Sequence, residues 1–523
     1  MCQGFKAVIF DLGGVLLDWD RQNQPMMTRD QFSAMMNSTA WHKLDRGELT
    51  VKQACEHFST MLGVDSAAVE ASLEEAQKSL KVVPELLATI HDLKTSNKNL
   101  KFYVMSNVSK EHFAIVCREL DVPWSEFTRV FVSGVEGMRK PELGFWRHVL
   151  AQIGARPEQT IMVDDSAENI CAARSLGIRG MLVDSKHPEK TSAALRNLLQ
   201  DPLRRAQAYM KTNAGNHFCV VQGHEGITFK DNFSQLMIWG LTGDENAVSL
   251  RWPSHAEQTG KLDSTARDSE TNGERDDTQP TLPNGDVNNE VETGLWNFFC
   301  EKPILTTTDF PPDADTTAMA YISIPSPHHG RLANPDIVLD EMLSNSDPDG
   351  IVRVYFSTDR PRTCPEVCCN VLRAFNRFGR ISDPRLQATK DWVVDCLRND
   401  ACLDGSRHYS TAETFLYFVA RLYDECDEGP LKGQLELVKE KLGERIHVPA
   451  NPAALALRLS ACQIVGIDPG LYRKDLKALM SLQELDGGWP AGHFCWYGRT
   501  RAKIGNRGFT TALAMSIMQK EEN

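Results

Sequence analysis

The chain has 523 residues, room for two to four domains, with 41% hydrophobic residues and a formal net charge of −13. That acidic balance argues against a nucleic-acid-binding body, and no run of about 20 apolar residues is there to cross a membrane. The 14 cysteines are scattered without a Cys-x-x-Cys pair, and the first residues run into a strand-like segment with no signal-peptide pattern, so reduced thiols in a cytoplasmic protein are expected.

Residues 6–10 form a short apolar run that ends at Asp11. Such a run predicts a buried parallel strand with a carboxylate at the sheet edge where α/β proteins bind ligands. Gly13 and Gly14 follow and permit a tight turn. Residues from about 28 to 96 carry helical spacing. Further strands are predicted at 101–105, ending at Ser106-Asn107; at 129–132, followed by Lys140 and Pro141; at 159–163, ending at Asp164-Asp165; and at 180–183.

These four polar strand ends, in this order, resemble the haloacid dehalogenase (HAD) superfamily. The resemblance implies an N-terminal α/β HAD-like (Rossmannoid) domain over residues 1–200, with a helical cap at about 20–96. It implies Asp11 as the nucleophile that takes a phosphoryl group. Ser106 and Asn107 would bind phosphate, and Lys140 would neutralise its charge. Asp11, the Gly13 carbonyl, Asp164 and Asp165 would form a Mg²⁺ site of hard oxygen donors. Glu168 is either a further member of that site or a solvated helix residue. One position departs from the pattern: the family's general acid lies two residues after the nucleophile, where this chain has Gly13. Losing a general acid commonly costs ~10²–10⁴ in rate. Asp18 and Asp20 are candidate stand-ins, or they cap and solvate the turn. Asp164-Asp165-Ser166-Ala167-Glu168 also matches the Asp-Asp-x-x-Glu motif of class I terpene synthases, but it follows a strand, so it is read as the HAD metal motif.

Residues 201–243 are again helical in pattern. From 254 to 290 the chain is rich in Asp, Glu, Thr, Asn and Gly, a composition that cannot bury enough surface to offset ordering. A disordered insertion within the second domain is expected there. Asp313-Ala314-Asp315-Thr316-Thr317 then places two carboxylates one residue apart, after two prolines and before two hydroxyls. By residue type this is a helix N-cap or a paired-acid site. Helical spacing recurs at 366–378, 386–397, 411–423, 431–442, 452–465 and 474–485 without strands, which predicts an α-barrel or solenoid. Near the end, Arg499, Arg501, Lys503 and Arg507 form a basic cluster, either a solvated face or a diphosphate site.

Asp313–Thr317 resembles the Asp-x-Asp-Thr-Thr variant of the class II terpene cyclase acid motif, and Gln483 to Trp489 resembles the Gln-Trp motif of the same enzymes. The resemblance implies an all-α (α/α) barrel over 201–523, with Asp315 as the acid that protonates an alkene. Asp313 would tune or orient Asp315, and Thr316 stands where most relatives have Asp. Trp296, Trp489 and Trp496 are candidates to line a carbocation pocket. The two halves together resemble the drimane-type sesquiterpene synthases. That implies farnesyl diphosphate as substrate, cyclised by protonation to a bicyclic drimane-type diphosphate, and a HAD domain that dephosphorylates it to the alcohol. Two alternatives stay open: a cyclase that releases the diphosphate beside a silent HAD scaffold, and a HAD phosphatase with a non-catalytic helical module.

Overall fold

The computed structural model describes residues 4–18, 27–224, 226–253, 294–427 and 429–522; Asp20 and the expected insertion at 254–290 lie outside them. The chain divides into two compact units, Met1–Pro202 and Leu203–Asn523.

In the first unit the apolar runs form a five-stranded parallel sheet. Its order is Arg129–Val132, Lys101–Ser106, Ala7–Phe10, Thr160–Asp164 and Arg179–Leu182. The central strand, Ala7–Phe10, is buried at every residue, as a strand covered on both faces must be. Phe10 pairs with Val104 on one side and Val163 on the other. This register brings Asp11, Ser106 and Asp164 to the same sheet edge, at the point where the strand order reverses.

Four helices, Arg29–Met36, Thr39–Asp45, Val51–Leu62 and Ser66–Lys78, share a separate core that includes Phe32, Met35, Leu44 and Phe58. The antiparallel pair Leu17–Asp18 and Lys81–Val82 forms the neck. This cap is shorter than the expected 20–96. The helix Pro84–Ser96 belongs to the main body, where Leu86, Ile90 and Leu93 pack with Phe10 and Val104. Its helical period continues that of the cap, so spacing alone does not separate the two.

In the second unit, six of the described helices close a ring. Asn232–Thr242 packs on Ala314–Ser323, which packs on Pro365–Arg377, then Ala412–Glu425, Pro452–Ile464 and Arg507–Glu522, and the last returns to the first. Pro335–Ser344 and Gln387–Arg398 lie against Pro365–Arg377, and Pro469–Ser481 against Pro452–Ile464. The result is an inner ring of nearly wholly buried helices with amphipathic partners outside, the (α/α) barrel expected. The helix expected at 431–442 breaks into Pro430–Leu435 and Val438–Arg445, and that at 474–485 is Pro469–Ser481. The unit is also not purely helical. An antiparallel sheet runs in the order Cys495–Trp496, Lys503–Asn506, Cys219–Val221, Thr228–Phe229. Strands of two to four residues are too short to display a period of two, and Cys219–Val221 pairs with a segment near the far end of the chain.

The Gln-Trp turn is a buttress. Trp489 is fully buried, and its indole N–H donates to the Leu479 carbonyl at 2.7 Å. Gln483 donates to the Gly487 carbonyl at 2.9 Å and accepts from Arg205 at 3.0 Å. Trp489→Ala is therefore expected to lower stability by roughly 3–5 kcal/mol, read as a fall in the urea midpoint; an unchanged midpoint would contradict the buttress role.

Candidate active sites

At the edge of the first unit's sheet, Lys140 is almost wholly buried between two carboxylates. Its Nζ lies 2.9 Å from Asp11 Oδ1 and 2.6 Å from Asp164 Oδ2. Burial works to lower the Lys140 pKa, but the two negative neighbours raise it, so it stays an ammonium. Burial raises Asp11, with Lys140 pulling against the rise and Asp164 adding to it. Asp164 is further held by Asn169 at 3.0 Å and by the Ser166 backbone N–H at 2.8 Å. Ser106 is buried at the end of its strand. Gly14 has φ +76°, and a Cβ there would run into the Asp165 carboxylate. The carboxylate oxygens of Asp11, Asp164 and Asp165 lie within 4.8 Å of one another. A set of hard oxygen donors gathered at one sheet edge, two of them on Lys140, fits a divalent cation such as Mg²⁺.

Three expectations change here. The side-chain amide of Asn107 is engaged by Lys140: it accepts from the Lys140 backbone N–H and donates to the Lys140 carbonyl, both at 2.8 Å. Its role is to hold the lysine. Glu168 is exposed and outside the carboxylate cluster, because the helix Ala167–Ser175 turns Asn169 inward instead. At Gly13 an added Cβ would meet nothing within 4 Å among the described residues, which do not include Asp20. Asp18 lies exposed at the cap neck.

In the second unit, Asp313 caps the helix Ala314–Ser323. It accepts from the Thr316 backbone N–H at 2.7 Å and from the Thr316 hydroxyl at 2.9 Å. Its own backbone is clamped, with its N–H on the Trp296 carbonyl at 3.0 Å and the next N–H on the Val354 carbonyl at 2.7 Å. The N-cap reading and the acid reading thus divide between the two aspartates. Asp315, on the first turn, accepts from Asn370 Nδ2 at 2.8 Å through Oδ1 and from the Tyr409 hydroxyl through Oδ2. Asp313 is not its hydrogen-bond partner. Burial pushes Asp315 up to about 6, while Tyr409, Asn370 and the Arg373 charge pull it down. Burial pushes Asp313 up to about 8, against the Thr316 N–H and helped by the charge of Asp315. Tyr409 reaches in from a loop that turns at Gly405 (φ +80°), where a Cβ would collide with the Tyr409 carbonyl.

Asp313, Asp315 and Thr316 form the buried end of a cavity of about 730 Å³. Its walls include Phe233, Phe299, Phe310, Phe494 and Trp496. Arg407 and Arg499, both exposed, line it as well, together with Arg360 and Arg362. The cavity therefore joins a dry acid, aromatic walls and a cationic rim.

The basic run splits accordingly. Arg499 lines the cavity. Arg501 lies over the Trp496 ring at 5.0 Å and lines a smaller recess beside it. Lys503 sits on the strand Lys503–Asn506, away from the cavity lining. Arg507 is ion-paired with Glu484 and Asp486, so its charge is already matched. Of the three tryptophans only Trp496 lines the cavity. Trp296 and Trp489 are wholly buried, because their bulk fills the core behind it. Sequence reasoning missed Asn370, Arg373 and Arg407, and it took Tyr409 only as one of the aromatics available for a pocket, not as a partner of Asp315. Glu366, Asn370 and Arg373, at spacings of four and three, form a polar stripe on a helix that is otherwise buried apolar surface, and that stripe is the signal that would have found two of them.

A model of the haloacid dehalogenase-like hydrolases matches residues 5–177, and a model of the sesquiterpene cyclase astC-like C-terminal domain matches residues 203–378. The drimenol cyclase drtB of Aspergillus calidoustus is 34% identical over 518 residues, covering 98% of this chain and 88% of its own. The sesquiterpene phosphatase astK of Aspergillus oryzae is 32% identical over 186 residues, covering 35% of this chain and 93% of its own. A solved HAD family enzyme of Bacteroides thetaiotaomicron, complexed with magnesium and inorganic phosphate, is 22% identical over 35% of this chain and 96% of that one, with a TM-score of 0.29.

Asp313 gives a stability test. With a folded pKa of about 8 against 3.8 unfolded, it must bind a proton on folding between those limits, so its contribution falls as pH rises. Asparagine keeps the cap without that cost. In urea titrations Asp313→Asn is expected to be more stable than the parent at pH 8, with the difference vanishing toward pH 4. A difference that does not change with pH would contradict the raised pKa.

Proposed function

Because the chain belongs to the family of the drimenol cyclase drtB, we propose that it converts farnesyl diphosphate to a bicyclic drimane-type alcohol in two steps, one in each unit. The observation that carries the reading is the buried, donor-flanked Asp315 at the closed end of an aromatic cavity.

An alkene is a very weak base, so its protonation needs a neutral carboxyl in a dry place. Burial keeps Asp315 neutral up to about pH 6. Asp315 gives its proton to the distal alkene, and the carboxylate left behind meets Tyr409 and Asn370 already in position. Two ring closures follow, with each cation facing aromatic rings that attract it by about 0.5–2 kcal/mol. A proton is then lost and the diphosphate is kept. The exposed arginines, Arg407 and Arg499, with Arg360 and Arg362, are the groups suited to hold that diphosphate. Asp313 and Thr316 act by fixing the turn that aims Asp315.

In the first unit, Asp11 attacks phosphorus, Ser106 binds a phosphoryl oxygen, and Lys140 neutralises charge while Asn107 holds its backbone. Asp11, Asp165 and the Gly13 carbonyl, with Asp164 beside them, are the groups that would hold Mg²⁺, which when bound would offset phosphate charge. Glycine at position 13, where relatives carry the general acid, favours a second reading, in which the cyclic diphosphate is released intact. Cleavage between the two phosphorus atoms expels a phosphate monoester, which depends little on an acid; a second attack by Asp11 on that monoester expels the alkoxide, which takes its proton from water, and water hydrolyses the aspartyl phosphate after each cut. With Asp11, Ser106 and Lys140 all at the sheet edge, the two-step reading is preferred.

Incubation with farnesyl diphosphate and Mg²⁺, extracted with and without an added phosphatase, is expected to give a bicyclic alcohol in both extracts. Asp315→Asn should abolish every bicyclic product, and Asp11→Asn should leave the alcohol visible only after phosphatase treatment. The cyclisation rate should fall as pH rises through about 6, as Asp315 loses its proton. Bicyclic product from Asp315→Asn would sink the assignment of the acid. Parent protein giving alcohol only after phosphatase treatment would select the second reading.

A further inference from the structure

Behind Asp315, outside the cavity, lies a buried chain of side chains with no role so far. Asn370 donates to Asp315 Oδ1 at 2.8 Å. Arg373 Nη1 donates to Asn370 Oδ1 at 2.9 Å. The remaining edge of the guanidinium is forked onto Glu425, at 2.9 Å from Nε and 2.8 Å from Nη2. Asn370 and Arg373 are both buried. A guanidinium in a core is costly, and this one both ties Pro365–Arg377 to Ala412–Glu425 and reaches Asn370.

We propose that Arg373 is a positioning residue that, acting through Asn370, fixes which oxygen of Asp315 carries the transferable proton. This rests on Asp315 being the acid.

An amide side chain fits its site in two orientations, and its neighbours decide between them. Arg373 has donors and no acceptor, so Asn370 must turn its carbonyl toward Arg373 and its NH₂ toward Asp315. Oδ1 of Asp315 therefore faces a donor in both protonation states, and a proton on Oδ1 toward Asn370 would point at an N–H. The acid's proton is thereby assigned to Oδ2, on the side of Tyr409. Once it leaves, the charge on the carboxylate is met by Asn370 on one oxygen and Tyr409 on the other, without reorganisation. The bidentate grip of Glu425 keeps Arg373 from swinging away. Without Arg373 the amide is free to turn over. Its carbonyl then accepts the acid's proton and holds it, which makes Asp315 a weaker acid.

The other ionisable groups facing Asp315 are Asp313 on its own turn, Cys364, Glu366 and Cys368 at and beyond the start of the helix Pro365–Arg377, Tyr409, and Cys495. Burial raises each of them as it raises Asp315, and among the carboxyls Asp315 is pushed up to about 6, Glu366 to about 7 and Asp313 to about 8. The test is the pH profile of bicyclic product formation by the full chain with farnesyl diphosphate and Mg²⁺. Arg373→Met leaves no orphaned charge at Glu425, which keeps Arg421 at 2.9 Å. It is expected to lower kcat roughly 10–100-fold with little change in KM and to move the alkaline limb to higher pH. Arg373→Lys, which restores a charge and a donor, should recover most of both. Lost folding alone would reduce the yield of active protein without moving the limb. If Arg373→Met does not fold, Asn370→Leu, which keeps the Arg373–Glu425 fork, reads the same two quantities and should shift them the same way. A variant with parental kcat and an unmoved limb, alongside a dead Asp315→Asn, would overturn the positioning role and leave the acid standing. Bicyclic product from Asp315→Asn would instead remove the reading on which the role depends.

Discussion

A carboxyl group moved out of water loses far more in its charged form than in its neutral form, and the helical unit is organised around two groups that bear this cost. Asp313 and Asp315 lie one residue apart at the start of an inner helix, yet they are handled differently. Asp313 closes onto the backbone and hydroxyl of Thr316, which makes it a fixed cap. Asp315 is denied local partners and receives its donors from two distant segments, Asn370 and Tyr409. The clamp of Trp296 and Val354 on either side of the turn keeps this division from relaxing. The ring of helices supplies what neither residue can, a buried floor at the end of an aromatic-walled cavity.

The parallel-sheet unit solves the opposite problem with the same residue type. Asp11 and Asp164 are also buried, but Lys140 sits between them at salt-bridge distance, so a full positive charge opposes the rise that burial imposes on Asp11. On the function proposed, one chain carries a carboxyl that gives a proton and a carboxylate that attacks phosphorus. The distinction comes from surroundings alone, in the way that differing environments assign acid and base roles to like groups.

Much of this was legible in the residues. Strand runs that end in Asp11, Ser106 and Asp164 announced their sheet edge, because a strand buried on both faces admits polar residues only where it stops. The acid reading came from the resemblance to class II terpene cyclases, while the helix start at Asp313–Thr317 was legible from its prolines and paired carboxylates. The partners of Asp315 were not, since Tyr409 lies on an irregular loop and Asn370 on a helix whose spacing speaks of packing. Composition could not tell Arg507, tied to Glu484 and Asp486, from Arg499 at the cavity: a run of like charges records proximity along the chain, not the counter-charges that fold against it. Trp489 and Trp296 misled for a related reason, because a large aromatic fills a core as readily as it lines a pocket. The short strands escaped because their pairing is entirely non-local.

The closed ring of helices bears on how the protein comes into being. Its first member, Asn232–Thr242, finds one of its two neighbours only in Arg507–Glu522, and the small sheet is likewise joined across that span by Cys219–Val221 and Lys503–Asn506. On a ribosome the parallel sheet has all its strands by Leu182 and is free to fold while synthesis continues. The barrel has no such option. Until the closing helix emerges, the flank of Asn232–Thr242 that it covers, with Phe233 and Leu236 among its buried residues, lies open in the nascent chain. Chaperone occupancy during translation should therefore concentrate on the second half, and a stop codon ahead of residue 507 would leave a folded sheet unit attached to an unclosed one.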